Sequence, residues 1–181
     1  MKSTIPVRCS TVLLITYLLA ACTPSPSTAI AGNRSPDFYL KTNSIHHKVT
    51  IKVLAGEKNT MNFNGYHDGH MVITIPMNWR ITIDFVNTDN AQAHSAMIVP
   101  LADHTMMDIP INQVAFPHAS TPDPTEGTPS HITQSYTFVA DHPGIYALAC
   151  GVPGHAAMGM WDKLVVSATC KTAWIAIARL S

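Results

Sequence analysis

One eleven-residue stretch holds the most reactive grouping of side chains in this chain: Cys150-Gly-Val-Pro-Gly-His155-Ala-Ala-Met158-Gly-Met160. An apolar run, Gly144-Ile-Tyr-Ala-Leu-Ala149, delivers a thiol; a Pro-Gly turn brings an imidazole back beside it; a thioether follows before the next run begins at Trp161. With a second imidazole from elsewhere, these make the soft His2Cys set with a weak axial Met that suits copper in both of its common oxidation states. A lone Cys at the end of an apolar strand is usually a small core residue, but this one has a His five residues on and a Met ten residues on. Met158 competes for the axial place; its offset from His155 is the less suitable one and fits an apolar rim, so Met160 is the expected donor. A disulfide between Cys150 and Cys170 is the alternative use of the thiol, natural in an exported protein.

Four protein ligands leave no open position for a substrate, so such a site passes electrons and does not make or break bonds. The expectation is therefore a chain that is not an enzyme. Ala149-Cys150-Gly151 is not the His-Cys-His sequence of multicopper oxidases, and one Cys on this loop is too few for a dinuclear copper centre. The remaining histidines, including His67 and His70 in a polar turn and His104, His118, His131 and His142 beside Pro- and Asp-rich segments, read as solvated surface.

To hold three donors on one loop, the rest of the chain must supply a rigid frame. At 181 residues, 46% hydrophobic and 12% charged, it can build one well-buried domain plus tails. Lys+Arg and Asp+Glu balance at 11 each, so no basic surface points to nucleic acid. From His47 onward the pattern is of short β-branched runs, HKVTIKVLAG, HMVITIPMNW, RITIDFVNTDN, HSAMIVP, ITQSYTFVAD, GIYALAC and MWDKLVVS. Each is bounded by Gly, Pro, Asn or Asp, the mark of strands joined by turns. The fold expected is all-β, a sandwich in a single domain. Residues 100–130, rich in Pro, form a long irregular insertion between strands.

The other end of the chain reads as an address. Lys2 and Arg8 precede the short apolar run Thr11–Ala20, so residues 1–21 are expected to be a signal peptide. Leu19-Ala-Ala-Cys22 resembles a lipobox, which implies cleavage before Cys22 and a lipid on its thiol; an ordinary signal peptide cut near Ala21 is the alternative. Residues 22–45, beginning Cys-Thr-Pro-Ser-Pro-Ser-Thr, are expected to be a flexible tether. The domain is placed at 46–168, and 169–181 as a tail of unassigned role, an added edge strand being one option; Cys170 is left unassigned.

The loop together with Tyr146–Val166, Met61-Asn-Phe-Asn-Gly65 and Ile73-Thr-Ile-Pro76 resembles the cupredoxins, and within them the sulfocyanins and rusticyanins. That resemblance implies a Greek-key β-sandwich holding one type 1 copper ion. It implies His94, in Asn90-Ala-Gln-Ala-His-Ser-Ala-Met97, as the upstream ligand beside Cys150, His155 and Met160. Many cupredoxins carry Asn after the first His, where this chain has Ser95, so the bracing of the loop is expected to differ. The implied role is carriage of single electrons between respiratory partners such as cytochromes or a terminal oxidase, in the periplasm or on the outer membrane face. Copper delivery or storage is the alternative.

Overall fold

The computed structural model describes residues 34–35 and 38–178, and residue 59 without its side chain. The expected signal peptide and Cys22 lie outside the described residues. Nine strands follow one another: β1 (Leu40–Asn43), β2 (Lys48–Ala55), β3 (Met71–Pro76), β4 (Arg80–Asn87), β5 (Met97–Pro100), β6 (Thr133–Val139), β7 (Gly144–Ala149), β8 (Trp161–Ser167) and β9 (Trp174–Ile177). Only short 3-10 turns interrupt them, and the described residues include no α-helix.

The alternation read from sequence becomes burial. In β4, Ile81, Ile83, Phe85 and Asn87 point inward while Arg80, Thr82, Asp84 and Val86 lie toward the outside. β2 does the same with Val49, Ile51 and Val53. One sheet runs β1-β2-β4-β6 and the other β5-β7-β8-β3-β9. Both are mixed: β2 pairs parallel with β4 and β3 parallel with β8, while the other pairings are antiparallel. Parallel neighbours need crossover connections, so the chain passes between the layers to build a sandwich. Ile51, Ile73, Ile81, Phe85, Phe63 and Leu148 fill the space between them, each at most 1% exposed. Deleting one such side chain to Ala would cost roughly 2–5 kcal/mol.

Two elements lie outside the span 46–168. β1 falls in the stretch read as tether and pairs with β2 in the register Leu40↔Ile51. β9 falls in the tail and takes the edge-strand option, pairing with β3 in the register Ile73↔Ile175. Both have only four residues, too few to show a period of two, and tertiary pairing decides their state. Cys170, 5% exposed between β8 and β9, is disulfide-bonded, and Cys150 is the free thiol among the described residues.

The long insertion is irregular but not loose. Ala115 N–H donates to Ile98 O, Ile98 N–H to Ala119 O, and Thr121 N–H to Ala96 O. The insertion thus runs along the outer edge of β5 and satisfies backbone groups that an edge strand would otherwise expose.

Candidate metal centre

β7 ends at Ala149, so the next residue, Cys150, stands at the end of the sandwich where β7 turns toward β8. The returning loop is closed by its own backbone. Cys150 N–H donates to Met160 O at 3.1 Å, Met160 N–H to His155 O at 3.0 Å, and His155 N–H to Val152 O at 3.1 Å. Gly154 and Gly159 adopt φ of 84° and 96°, the left-handed conformations that turn the chain twice within six residues. His94 is brought in from three residues before β5, the strand that pairs with β7. It exchanges backbone bonds with Thr128 of the insertion, 3.2 Å from His94 N to Thr128 O and 2.7 Å in return.

One ligand atom each from His94, Cys150 and His155 lie within 4.8 Å of one another. The two Nδ1 atoms are 3.2 Å apart and Cys150 Sγ is 3.5 Å from His155 Nδ1. A first-row ion bonds imidazole nitrogen at about 2.0 Å and thiolate at about 2.3 Å. From those lengths, the N–N and S–N separations each subtend roughly 105–110° at an ion bonded to both donors of the pair. Met160 is fully buried, whereas Met158 is 61% exposed. The structure therefore sets Met158 on the surface, as its offset suggested, and Met160 within the core cluster that also contains Cys150.

Burial pushes the Cys150 thiol up, against the lowering effect of hydrogen bonds from Ser95 and Val152. Burial pulls His94 down against the raising effect of Asp89, and pulls His155 down with help from the charge of His94. Two neutral imidazoles beside a dry thiol make a pocket in which a thiolate is costly unless a cation shares it. The donor chemistry and the spacing both fit a soft metal ion.

Ser95 braces the thiol and the start of the loop. Its N–H donates to Cys150 Sγ at 3.3 Å, its Oγ lies 3.7 Å from the same sulfur, and that Oγ accepts the Gly151 N–H at 2.8 Å. The position was conspicuous in the sequence; its double role was not. Asp89 was missed, because Asn87-Thr-Asp-Asn90 reads as an ordinary turn. Its Oδ2 is 3.2 Å from His94 Nε2 and it is fully buried. Burial would raise its carboxyl, but N–H bonds from Ala91 and Gln92, with His94, hold it below the usual carboxylate range.

His94 and Cys150 are fully buried and His155 is 8% exposed, so the imidazole edge of His155 is the donor nearest solvent. Ala156, 1% exposed, packs inward with Met97, Val99 and Ile109, while Met107 of the insertion, 65% exposed, reaches the rim and accepts the Gly154 N–H through its carbonyl at 2.6 Å.

The Sulfocyanin (SoxE) domain family matches residues 36–177. Sulfocyanin of Sulfolobus acidocaldarius is 26% identical over 134 residues, which cover 71% of this chain and 67% of that protein. A rusticyanin of Acidithiobacillus ferrooxidans is 28% identical over 137 residues, covering 75% and 70%. Among solved structures, auracyanin A, a "blue" copper protein from Chloroflexus aurantiacus, superposes with a TM-score of 0.50 at 22% identity, over 66% of this chain and 99% of that one.

Proposed function

The chain belongs to the sulfocyanin family of cupredoxins, and on that premise we propose that it binds one copper ion through His94, Cys150, His155 and Met160 and carries single electrons between respiratory partners outside the cytoplasm. The observation that carries this reading is the convergence of His94, Cys150 and His155 within 4.8 Å in a pocket closed to water except at His155. Copper supplies the one-electron couple, and its usual trigonal site with a weak axial thioether matches this donor set.

The polypeptide does the rest. Backbone bonds inside the 150–160 loop hold the thiol, imidazole and thioether in place, so little has to move when the charge of the centre changes. The insertion, by gripping His94 and lining β5, keeps solvent away from the donors. The edge of His155 is the port for electrons. Pro153, Ala157, Met158 and Met107 are exposed around that loop and form an apolar rim suited to brief docking with a cytochrome or oxidase. With every donor coming from the protein, no position is left for a substrate, so the chain is read as a carrier and not an enzyme. The basic start, apolar run and Leu19-Ala-Ala-Cys22 support export and a lipid anchor on Cys22.

Titration of the purified protein with copper tests the reading. One equivalent should give an intense blue colour, and Cys150→Ser should be folded, by circular dichroism, yet colourless, because a hydroxyl cannot replace the thiolate in the charge-transfer band. Binding of Cu(I) alone, with no blue Cu(II) form, would favour delivery or storage instead. Blue colour retained in Cys150→Ser would exclude this thiolate.

A further inference from the structure

Asp89 sits five residues before His94 in the turn after β4, and the surroundings of its two oxygens are unusual. Oδ1 accepts the N–H groups of Ala91 at 2.8 Å and Gln92 at 3.0 Å. Oδ2 faces His94 Nε2 at 3.2 Å. The backbone N–H of Asp89 is itself tied to Asn87 Oδ1 at 3.0 Å, and the Asn87 amide donates at 2.8 Å to Gln92 O and to Thr128 O. The turn is therefore fixed at both ends before the His94 ring is considered.

Two backbone donors and, when its proton is on Nε2, the His94 ring converge on this side chain, three donors in all. A carboxylate satisfies all three, because it only accepts. An amide of the same shape cannot, since its NH2 must face either the two backbone N–H groups or the ring nitrogen. If it faced the ring, the ring would answer by placing its proton on Nδ1, the atom that points at His155 and Cys150. The lid over the pair is equally specific. A Cβ on Gly56, whose φ is 71°, would stand 2.5 Å from Asp89 Cβ and 2.9 Å from His94 Nε2. Only a glycine allows the backbone to close over the contact and exclude water from it.

We propose that Asp89 is the positioning residue of the metal centre: its buried carboxylate holds the Nε2 proton of His94, turns the Nδ1 lone pair to the metal, and makes the ring a stronger donor to the oxidised ion. A carboxylate on the remote nitrogen of a ligand His raises its basicity and fixes its orientation, and loss of such a partner typically costs 10–100-fold in metal affinity. Because extra donation favours Cu(II) over Cu(I), most of that loss falls on Cu(II). The inference rests on the proposed copper site, and the test separates the two. Wild-type protein must first bind copper and turn blue; failure there removes the function reading and leaves the Asp89–His94 geometry untouched.

With blue wild type in hand, Asp89→Asn is compared by competition for Cu(II) and by voltammetry. The expected result is about a tenfold or greater loss of Cu(II) affinity and a higher potential, about 59 mV for each tenfold loss of Cu(II) relative to Cu(I). A folded Asp89→Asn with wild-type potential and affinity overturns the proposal. A second measurement needs no variant. In ¹H–¹⁵N spectra of the Cu(I) protein, His94 Nε2 should carry a downfield proton that exchanges far more slowly than any on His155. A His94 ring proton that exchanges with solvent as fast as that of His155 also overturns it.

Discussion

Replacing Ser95 with Ala isolates the bracing of the thiolate. The substitution removes one oxygen and leaves the Ser95 N–H bond to Cys150 Sγ intact. What is lost is the acceptor of the Gly151 N–H, at 2.8 Å, and the hydroxyl 3.7 Å from the sulfur. Ser95 is fully buried, and removing one oxygen leaves a gap of little more than one atom. The Gly151 N–H is then buried without a partner, which costs roughly 1–3 kcal/mol. At about 4 °C per kcal/mol for a domain of this size, the melting temperature should fall by roughly 4–12 °C. The redox effect has its own sign. A sulfur with one polar neighbour fewer donates more charge, which stabilises the oxidised ion, so the potential should fall while the blue colour stays. Calorimetry and voltammetry on the same preparation read both numbers. A melting temperature within about 1 °C of wild type would show that Gly151 N–H does not depend on this oxygen, and the bracing argument would fail.

Met160→Leu should remain blue and shift to higher potential, because a weak axial thioether stabilises Cu(II), whereas Met158→Leu, altering a side chain 61% exposed, should leave the potential near wild type; voltammetry showing the reverse would exchange their roles. Burial holds His94 and His155 below the ordinary imidazole value of 6.5, so the unfolded chain takes up protons at higher pH than the folded one. The stability they contribute is complete above about pH 6.5 and is lost as the pH falls through their lower folded values. Thermal melts should therefore show copper-free protein losing stability on acidification below that point, and copper-loaded protein, whose ligated imidazoles take up no protons until the ion leaves, losing it at least as steeply; copper-free melts unchanged across that range would count against this linkage. If Cys22 carries lipid, the mature protein should partition with membranes and Cys22→Ser should release it or block processing. Cys170 is disulfide-bonded and the chain's other cysteines besides Cys150 are Cys9 and Cys22, so a non-reducing peptide map that recovers Cys22 linked to Cys170 would refute the anchor.

Local chemistry was the legible part. Cys150, His155 and Met160 occupy one loop, and their spacing is itself the geometry, so the residues could be named from sequence. His94 was found by resemblance and by its place before a strand. Asp89 and Gly56 could not be read in the same way, since each looks like turn material and acquires its role only when β2 and β4 lie side by side. That pairing is parallel and depends on the crossover, which no local pattern encodes. The strand runs were legible because burial on one face forces alternation, whereas β1 and β9 owe their conformation to their partners. The insertion was legible as irregular. Its grip on His94 and on β5 was not, because backbone hydrogen bonds leave no trace in side-chain type.

The pairing of β3 with β8 also sets an order of events for the folding chain. The Met71 N–H is bonded to Asp162, 91 residues later, and the parallel register Val72↔Lys163 continues from it. Contacts of that separation carry a large loop-closure cost and form slowly. β2 and β4, much nearer in sequence, can assemble the first sheet without them. The second sheet has to wait for β8, and β8 begins directly after Met160. The donor loop is thus bounded by one of the last strands to dock, so a nascent or partly refolded chain would hold a settled first layer and a mobile thiol. Interval-sampled hydrogen exchange during refolding would show this as protection in β4 well before protection at Cys150 and Met160.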